Sequence, residues 1–238
     1  MTQPLHALLL AAGLGTRLRP ITSHIPKCLV SIRGEPLLGR WLRQLELAGC
    51  ESVLINTHYL AEQVEAFVRT WPASTMTIVT VDEPELLGTA GTLLANKDFF
   101  AGATGLLIHA DNAMLGDLND FLVAHRQRQD CCLLTMLTFN THTPSSCGIV
   151  EIDDKQVLQA FHEKTANPPG NRANAALYAF ENDFLDHLNL MNTRPSDFST
   201  EVIPKFLGRI QTCHTHDLYL DIGTPQALEL AQKLFNQQ

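Results

Sequence analysis

Apolar runs of strand length alternate with helical patterns along the first half of the chain. The strand-length runs lie at 5–11, 52–56, 76–81, 104–109, 131–138, 148–152 and 174–180. Helical patterns separate the first five of these runs, and this alternation is typical of strand–helix–strand units. The pattern therefore predicts an α/β fold with a doubly wound, mainly parallel, Rossmann-like sheet.

Two helix boundaries can be read from the sequence. Within PLLGRWLRQLELAGC, apolar residues recur at helical spacing at Leu38, Trp41, Leu42, Leu45 and Ala48. This pattern stops at Gly49, and glycine is common just past the end of a helix. Near the end of the chain, Pro225 favours the start of a helix, because proline is accommodated in a first helical turn.

The second half of the chain has a different pattern. After residue 140 the strand-length runs follow each other closely, and the loops NPPGN and NTRPSDFST appear between polar segments. We expect a mixed addition to the sheet, within one domain over 1–238 that has functional halves at 1–140 and 141–238. No repeat predicts a β-helix after residue 225. Ligands of such sheets bind where the strands end, at the carboxyl edge.

Charge is distributed unevenly along an acidic chain. The formal net charge of −8 argues against general affinity for nucleic acid or an anionic membrane, which needs a broad basic surface. Residues 1–34 nevertheless contain no Asp or Glu, although they include Arg17, Arg19, Lys27 and Arg33. A small anionic ligand is therefore expected at the N-terminal segment.

The cysteines and the N-terminal apolar run indicate the cellular compartment to expect for the protein. The 6 cysteines form no CxxC pair and have no histidines at metal-ligand spacing, which favours reduced thiols over a disulfide framework or a zinc site. The run from Leu5 to Leu14 has no basic segment before it and is too short to cross a bilayer. We expect a cytoplasmic protein with no membrane partner, and the sequence does not predict an oligomer.

The first strand leads into a glycine-containing loop. Gly13 and Gly15 follow it directly, and missing side chains there would let backbone N–H groups approach a phosphate. The segment lacks the third glycine of a dinucleotide-binding fingerprint and the GK[ST] of a P-loop. The complete string LAAGLGTRLRPITSHIPKCL instead closely resembles the pattern LA[AG]GxGTRLxPLTxxxPKxL of the sugar-1-phosphate nucleotidyltransferases, from which only Ile21 departs.

This resemblance covers nearly the whole chain and implies a nucleotidyltransferase fold of GT-A type, with a nucleotide site. The residues it assigns to the nucleotide are Ala11, Ala12, Gly13, Gly15, Thr16, Arg17, Lys27, Glu83, Gly88, Thr89 and Asp111. Glu83, Gly88 and Thr89 belong to DEPELLGTAGTLL, which resembles the family's base loop. A carboxylate at Glu83 could accept from the paired donors of guanine, whereas an exposed glutamate in a turn would give the same pattern.

The resemblance also implies a Mg²⁺ cofactor. Asp111 follows an apolar strand in GLLIHADNAML, and Asp221 precedes a helix in LYLDIGTPQAL, at the positions of the family's two metal-binding aspartates. Two carboxylates that meet at one edge would hold a hard cation, with water and phosphate oxygens completing its shell. Taken singly, each aspartate could equally be a turn or helix-capping residue.

Further segments resemble the family's sugar-phosphate site. In FHEKTANPPGNRANAALY, Glu163 would accept from sugar hydroxyls, Lys164 would bind the sugar phosphate, and Asn174 would bond to the sugar. Gly148 in CGIVEID would permit a close approach. An exposed Glu–Lys ion pair is the alternative interpretation of the first two residues. The chain departs from the usual family residues at three positions, which are Cys28, Ala110 and Ala176.

The reaction implied is nucleotidyl transfer from a nucleoside triphosphate to a sugar-1-phosphate, with pyrophosphate released. The catalytic groups implied are Arg17 at the β,γ-phosphates, Lys27 at the α-phosphorus and Lys164 at the incoming phosphate. GTP with mannose-1-phosphate or a manno-heptose-1-phosphate is the favoured pair. A uridylyl- or thymidylyltransferase acting on an N-acetylmuramate or glucose type of phosphate is an alternative, as is a non-catalytic regulatory protein that binds nucleotide sugars.

Overall fold

A computed structural model describes residues 3–191 and 193–235 of the chain. The helices are α1 (Leu37–Leu47), α2 (Ala61–Arg69), α3 (Gly88–Ala95), α4 (Leu118–Arg126), α5 (Asn182–Asn189) and α6 (Pro225–Leu234). The strands are β1 (Leu5–Leu10), β2 (Ser31–Ile32), β3 (Glu35–Pro36), β4 (Ser52–Thr57), β5 (Thr77–Asp82), β6 (Thr104–His109), β7 (Asn112–Met114), β8 (Leu134–Asn140), β9 (Gly148–Ile152), β10 (Leu158–Glu163), β11 (Arg172–Phe180), β12 (Ile210–His214) and β13 (Tyr219–Asp221). None of the helices in this described part combines the length and apolar character needed to cross a lipid bilayer.

The chain forms two compact units that interleave along the sequence. Unit I contains residues 7–86, 108–116 and 217 onward, and unit II contains the residues up to His6, 87–107 and 117–216. Both β1 and β6 have residues in each unit. The expected functional halves are a nucleotide-binding half at 1–140 and a sugar-phosphate-binding half at 141–238. This division stays a prediction.

Unit I contains the parallel strands of the first half. The strand order is β1-β4-β5, and β4 pairs in parallel with β5 from Ser52↔Thr77 to Thr57↔Asp82. β7 and β13 form a separate antiparallel pair. α1 is fixed against β7, because the Trp41 indole N–H donates to the Asn112 carbonyl at 2.9 Å.

The predicted end of the first helix is confirmed. α1 ends at Leu47, and Gly49 has φ 74°, a conformation that glycine adopts without the cost a side chain would add. α6 begins at Pro225, also as predicted, and the Thr224 hydroxyl accepts from the backbone N–H of Ala227 at its first turn.

Unit II contains the mixed addition expected of the second half. β11 pairs antiparallel with β8 and β9, β9 pairs antiparallel with β10, and β12 pairs in parallel with β8. The register between β11 and β8 shifts between Asn174 and Tyr178, which marks a bulge in β11. The α/β class with a mainly parallel sheet and a mixed extension is therefore confirmed.

The strand predictions differ from the structure in two respects. The run at 131–138 forms a strand only from Leu134, because Cys131 and Cys132 lie in a turn in which the Cys132 N–H donates to the Gln129 carbonyl. The chain also forms strands that periodicity did not predict, namely β2, β3, β7, β10, β12 and β13. Four of these have only two or three residues, too few to show an alternating pattern.

Candidate functional site

The glycine loop after β1 has its tightest point at Gly15. Gly15 has φ 62°, and a Cβ there would lie 3.0 Å from the Thr22 methyl group and 3.3 Å from the Lys27 Cβ. The Thr22 hydroxyl donates to the Gly15 carbonyl at 2.6 Å. Gly13 is exposed, and a Cβ there would meet no atom within 4 Å. The turn therefore requires glycine at residue 15 but not, on steric grounds, at residue 13.

The other loop residues surround this turn. Ala11 and Ala12 are buried at the end of β1, whereas Thr16 and Arg17 are exposed in a short 3₁₀ turn, Thr16–Leu18. The turn is closed by the Leu18 N–H, which donates to the Gly15 carbonyl at 3.0 Å. Arg17 is thus exposed in the loop that follows the buried end of β1.

Lys27 meets both predicted metal-binding aspartates within unit I. It begins a 3₁₀ turn, Lys27–Leu29, and its side chain is only 8% exposed. The ammonium nitrogen forms an ion pair with Asp111 Oδ2 and lies 3.7 Å from Asp221 Oδ1. Asp221 comes into place because β13 pairs with β7, which sets Asp221 opposite Asn112. The structure therefore brings the two distant aspartates together.

The charges around Asp111 act on the groups beside it. Burial would raise the pKa of Asp111, but the charges of Lys27 and His109 and the hydrogen bond from Lys27 outweigh it, so the pKa is lowered. Burial, with the Asp111 charge second, raises the pKa of the neighbouring Cys28 to about 12. Asp111 is accordingly ionised, while the Cys28 thiol stays protonated.

The donor set at these aspartates fits Mg²⁺. Carboxylate oxygens suit this hard cation, which commonly takes one or two carboxylates and completes its shell with water and phosphate oxygens. In the part of the chain that the structure describes, no group of three or more His, Cys, Asp or Glu side chains could hold a metal ion. The residues therefore fit an ion shared with a phosphate ligand rather than one enclosed by protein.

Arg17 lies over the backbone of Gly223, two residues after Asp221. A Cβ on Gly223 would be 3.0 Å from both terminal guanidinium nitrogens of Arg17. Glycine at this position leaves the space that the guanidinium occupies, within the same unit as the aspartates. The planar, permanently charged guanidinium suits a phosphate group, which it can bind through two parallel hydrogen bonds.

Glu83 is buried, so its interpretation as an exposed turn residue is wrong. It is 4% exposed, and its Oε1 accepts from the Asn56 side-chain amide at 3.1 Å. The Asn56 Oδ1 in turn accepts from the Ala11 backbone N–H at 2.7 Å. Asn56 thus connects the carboxylate of the predicted base loop to the strand end that carries the glycine loop.

Gly88 and Thr89 lie in unit II at the start of α3. Gly88 has φ 78°, and a Cβ there would clash with the Ser196 carbonyl. The Thr89 hydroxyl accepts from the Phe198 N–H at 2.7 Å, and the Ala90 N–H donates to the Ser196 carbonyl at 2.9 Å. Thr89 and Ala90 therefore hold the start of α3 against the segment 196–198, and Gly88 leaves room for the Ser196 carbonyl.

Three of the predicted sugar-site residues lie close together in unit II. Glu163 is opposite Gly148 in the β10–β9 pair, and Lys164 follows it with φ 49°. The Lys164 ammonium is 3.0 Å from Glu163 Oε1, and this lysine side chain is 65% exposed. A Cβ on Gly148 would clash with the Phe161 ring and lie 2.6 Å from Glu163 Oε2. The side chains of Phe161 and Glu163 thus occupy the space that the absence of a side chain at Gly148 leaves.

Asn174 holds the bulge of β11. Its Oδ1 accepts from the Ala176 N–H at 2.9 Å, and its Nδ2 donates to the Tyr178 hydroxyl at 2.6 Å. Burial raises the pKa of Tyr178, the charge of Glu163 raises it further, and the hydrogen bond from Asn174 acts in the opposite direction. Asn174 therefore has a structural role in this bulge.

Sequence reasoning missed two residues of this site. Asn56 is a polar residue, 3% exposed, directly after the apolar residues 53–55 of β4, and a buried polar side chain normally has a hydrogen-bonding role. Its place in that strand could have revealed it. Gly223 stands in the segment LYLDIGTPQAL, but only the fold shows that the Arg17 guanidinium lies over it.

Comparisons with known proteins identify the family of the chain. A family model described as nucleotidyl transferase matches residues 6–238. The mannose-1-phosphate guanylyltransferase of Mycobacterium tuberculosis is 30% identical over 94% of this chain and 63% of its own length. The UTP–glucose-1-phosphate uridylyltransferase of Synechocystis is 28% identical, over 84% of this chain and 55% of its own. The chain spans about three fifths of the length of the curated relatives it matches.

Structural similarity supports the fold. A crystal structure of a putative glucose-1-phosphate thymidylyltransferase from Bacillus anthracis superimposes with a TM-score of 0.88. The match covers 98% of this chain and 96% of that one at 19% sequence identity, so it bears on the fold alone. Because the family model covers nearly the whole chain, this protein belongs to the nucleotidyl transferase family.

Proposed function

We propose that the protein transfers a nucleotidyl group from a nucleoside triphosphate to a sugar-1-phosphate and releases pyrophosphate. The observation that carries this proposal is the meeting of Lys27 with Asp111 and Asp221 below the glycine loop. In a chain of this family, a cation that meets two carboxylates matches what a metal-bound triphosphate needs.

The chemistry requires charge neutralisation more than proton transfer. The phosphate of a sugar-1-phosphate is largely dianionic near neutral pH, so its oxygen can attack the α-phosphorus without a general base. Two polyanions must instead be held in line against their mutual repulsion. Lys27 neutralises the charge that develops at the α-phosphorus, and Arg17 binds the departing β,γ-phosphates.

Asp111 and Asp221 would hold Mg²⁺ in this reaction. When bound, the ion supplies a Lewis acid that neutralises phosphate oxygens. Although burial opposes it, the Lys27 charge lowers the pKa of Asp111, so that this carboxylate is ionised at neutral pH. Asp221, at the end of β13, supplies the second carboxylate.

Residues of unit II bind the sugar phosphate in this proposal. The exposed Lys164 ammonium neutralises the incoming phosphate, and Glu163 accepts from sugar hydroxyls. Asn174 keeps the bulge of β11 in shape and contributes a polar edge to the sugar. Gly148, opposite Glu163, leaves room for the Glu163 and Phe161 side chains.

GTP with mannose-1-phosphate or a manno-heptose-1-phosphate is the favoured substrate pair. The relative from Mycobacterium tuberculosis is named for guanylyl transfer to mannose-1-phosphate, which supports this choice. Glu83 has a carboxylate suited to the paired donors of guanine, and Asn56 fixes its orientation. The Synechocystis relative is named for uridylyl transfer to glucose-1-phosphate, which makes UTP with that sugar the principal alternative.

A matrix of the common nucleoside triphosphates against a panel of sugar-1-phosphates, with Mg²⁺ present, tests the proposal through pyrophosphate release. The highest kcat/KM is expected for GTP with mannose-1-phosphate or a manno-heptose-1-phosphate. A maximum with UTP or dTTP would reject the substrate pair but keep the reaction class. Nucleotide-sugar binding without turnover in any combination would instead indicate a regulatory protein.

Lys27→Ala tests the catalytic assignment in the same assay. We expect turnover to fall by about a thousandfold, since the lost charge stabilises the transition state directly. Lys155→Ala is the matched control, because it removes one ammonium from an exposed position. Turnover of Lys27→Ala equal to that of the control would remove Lys27 from the mechanism.

A further inference from the structure

The Lys27 ammonium contacts the same two carboxylates that would hold a metal ion. It is paired with Asp111 Oδ2 and is 3.7 Å from Asp221 Oδ1, while its side chain is 8% exposed. The aspartate side chains are 31% and 46% exposed, so both remain accessible from solvent. A buried cation thus lies between two accessible anions.

A divalent ion and the Lys27 ammonium need the same oxygens. Metal coordination at Asp111 and Asp221 would place a doubly charged ion within a few ångströms of a buried ammonium. Their repulsion is strong where water is partly excluded. We propose that Lys27 competes with the divalent ion for Asp111 and Asp221, so that free metal binds weakly until phosphate oxygens take over the ammonium.

The consequence of this competition for triphosphate binding rests on the proposed function. A triphosphate carries enough negative charge to pair with the ammonium and the metal ion together. Transfer of Lys27 from the aspartates to the phosphates then opens the carboxylates to metal and brings the lysine to the α-phosphorus. Metal and triphosphate consequently bind with positive coupling, and thermodynamic linkage makes this coupling reciprocal.

The test measures Mn²⁺ affinity in the absence of nucleotide and sugar, by electron paramagnetic resonance on the full chain. Lys27→Gln removes the charge but keeps a donor beside Asp111. We expect it to bind Mn²⁺ about tenfold or more tightly than the wild type, because the competing charge is gone. Lys27→Arg, which keeps the charge, and Lys155→Gln, an exposed matched control, should retain the weak wild-type affinity.

A double variant tests where the metal ion binds. Adding Asp111→Asn to Lys27→Gln should abolish the gain in affinity, whereas a gain that persists would show that the metal binds elsewhere and would overturn the proposal. An Mn²⁺ affinity of Lys27→Gln equal to or weaker than that of the wild type would also overturn it. That result would mean that Lys27 is neutral toward the metal or supports its ligands.

A measurement on the wild type covers the case in which the Lys27 variants do not fold. In a ¹H–¹⁵N spectrum of lysine ammonium groups, saturating Mg²⁺ should shift the Lys27 resonance, and an unchanged resonance at metal saturation would contradict displacement. None of these measurements uses a substrate. Failure of pyrophosphate release would therefore count against the proposed function alone, and failure of the metal measurements against this inference alone.

Discussion

Backbone conformation at Ala176 shows how one residue can keep local strain. It has φ 52°, within the bulge that Asn174 closes, and a side chain in this left-handed region costs about 1–2 kcal/mol. The family resemblance gives glycine as the frequent residue here. The methyl group of Ala176 is therefore retained against a local conformational preference.

Ala176→Gly should stabilise the protein. We expect the free energy of unfolding to rise by about 0.5–1 kcal/mol, because relief of the left-handed strain exceeds the entropy that glycine adds to the unfolded chain. Urea denaturation measures this change. Ala179→Gly, in the same strand but outside the positive-φ positions, is the control and should destabilise. Equal destabilisation by both changes would contradict the argument.

The contact between Gly223 and Arg17 gives a second prediction at the scale of single residues. Gly223→Ala would place a methyl group 3.0 Å from the guanidinium nitrogens, which must move away. Because Arg17 is exposed, the move should cost less than about 1 kcal/mol in unfolding free energy. We expect KM for the triphosphate to rise about tenfold, as measured by steady-state kinetics. Gly170→Ala, where a Cβ meets open space and which is not among the nucleotide residues, controls for a general effect of replacing glycine with alanine.

Among the elements, α4 is joined to β8 by a buried histidine. His125 is 1% exposed, and its Nδ1 is 2.8 Å from the Thr135 hydroxyl. Its Nε2 is 3.3 Å from Glu181 Oε1, at the residue that precedes α5. Burial lowers the pKa of His125, although the hydrogen bond with Glu181 opposes this shift. The folded protein therefore favours the neutral imidazole.

This lowered pKa predicts a pH dependence of stability. The unfolded chain takes up a proton at His125 as pH falls below about 6.5, while the folded protein resists it, so stability falls in that range. We expect the free energy of unfolding to fall less steeply in His125→Gln than in the wild type between pH 7.5 and pH 5.5. The difference in slope should be up to about 1.4 kcal/mol per pH unit.

Denaturation series at several pH values provide the measurement. His24→Gln, at an exposed position, is the matched control and should keep the wild-type slope. A slope in His125→Gln as steep as that of the wild type would show that another group titrates.

On the scale of the whole molecule, residues from Asp217 onward complete unit I, which begins at Ala7. A buried cluster in unit I joins residues from the N-terminal segment, β7 and the C-terminal segment, namely Leu18, Val30, Ile32, Leu37, Ala113, Ile222 and Ala231. The same C-terminal segment carries Asp221 to Lys27. Packing and the candidate site therefore depend on the same long-range connection.

Ile222→Ala tests this connection. The side chain is fully buried, so its truncation should lower the free energy of unfolding by about 2–4 kcal/mol, through lost burial and the cavity that remains. Leu230→Ala, on the exposed side of α6 with 43% exposure, should cost less than about 1 kcal/mol. Urea denaturation compares the two variants, and equal costs would show that the cluster does not depend on Ile222.

The sequence by itself determined the α/β class, the end of α1, the start of α6 and the family that the glycine-loop motif indicates. These features depend on local periodicity, turn residues and a continuous motif, all of which act over a few neighbouring positions. Only the tertiary structure decided that Lys27 lies between Asp111 and Asp221, that Glu83 is buried against Asn56, and that Gly223 makes room for Arg17. Such contacts join residues far apart in the chain, and they arise from strand pairing and close packing that no local pattern encodes.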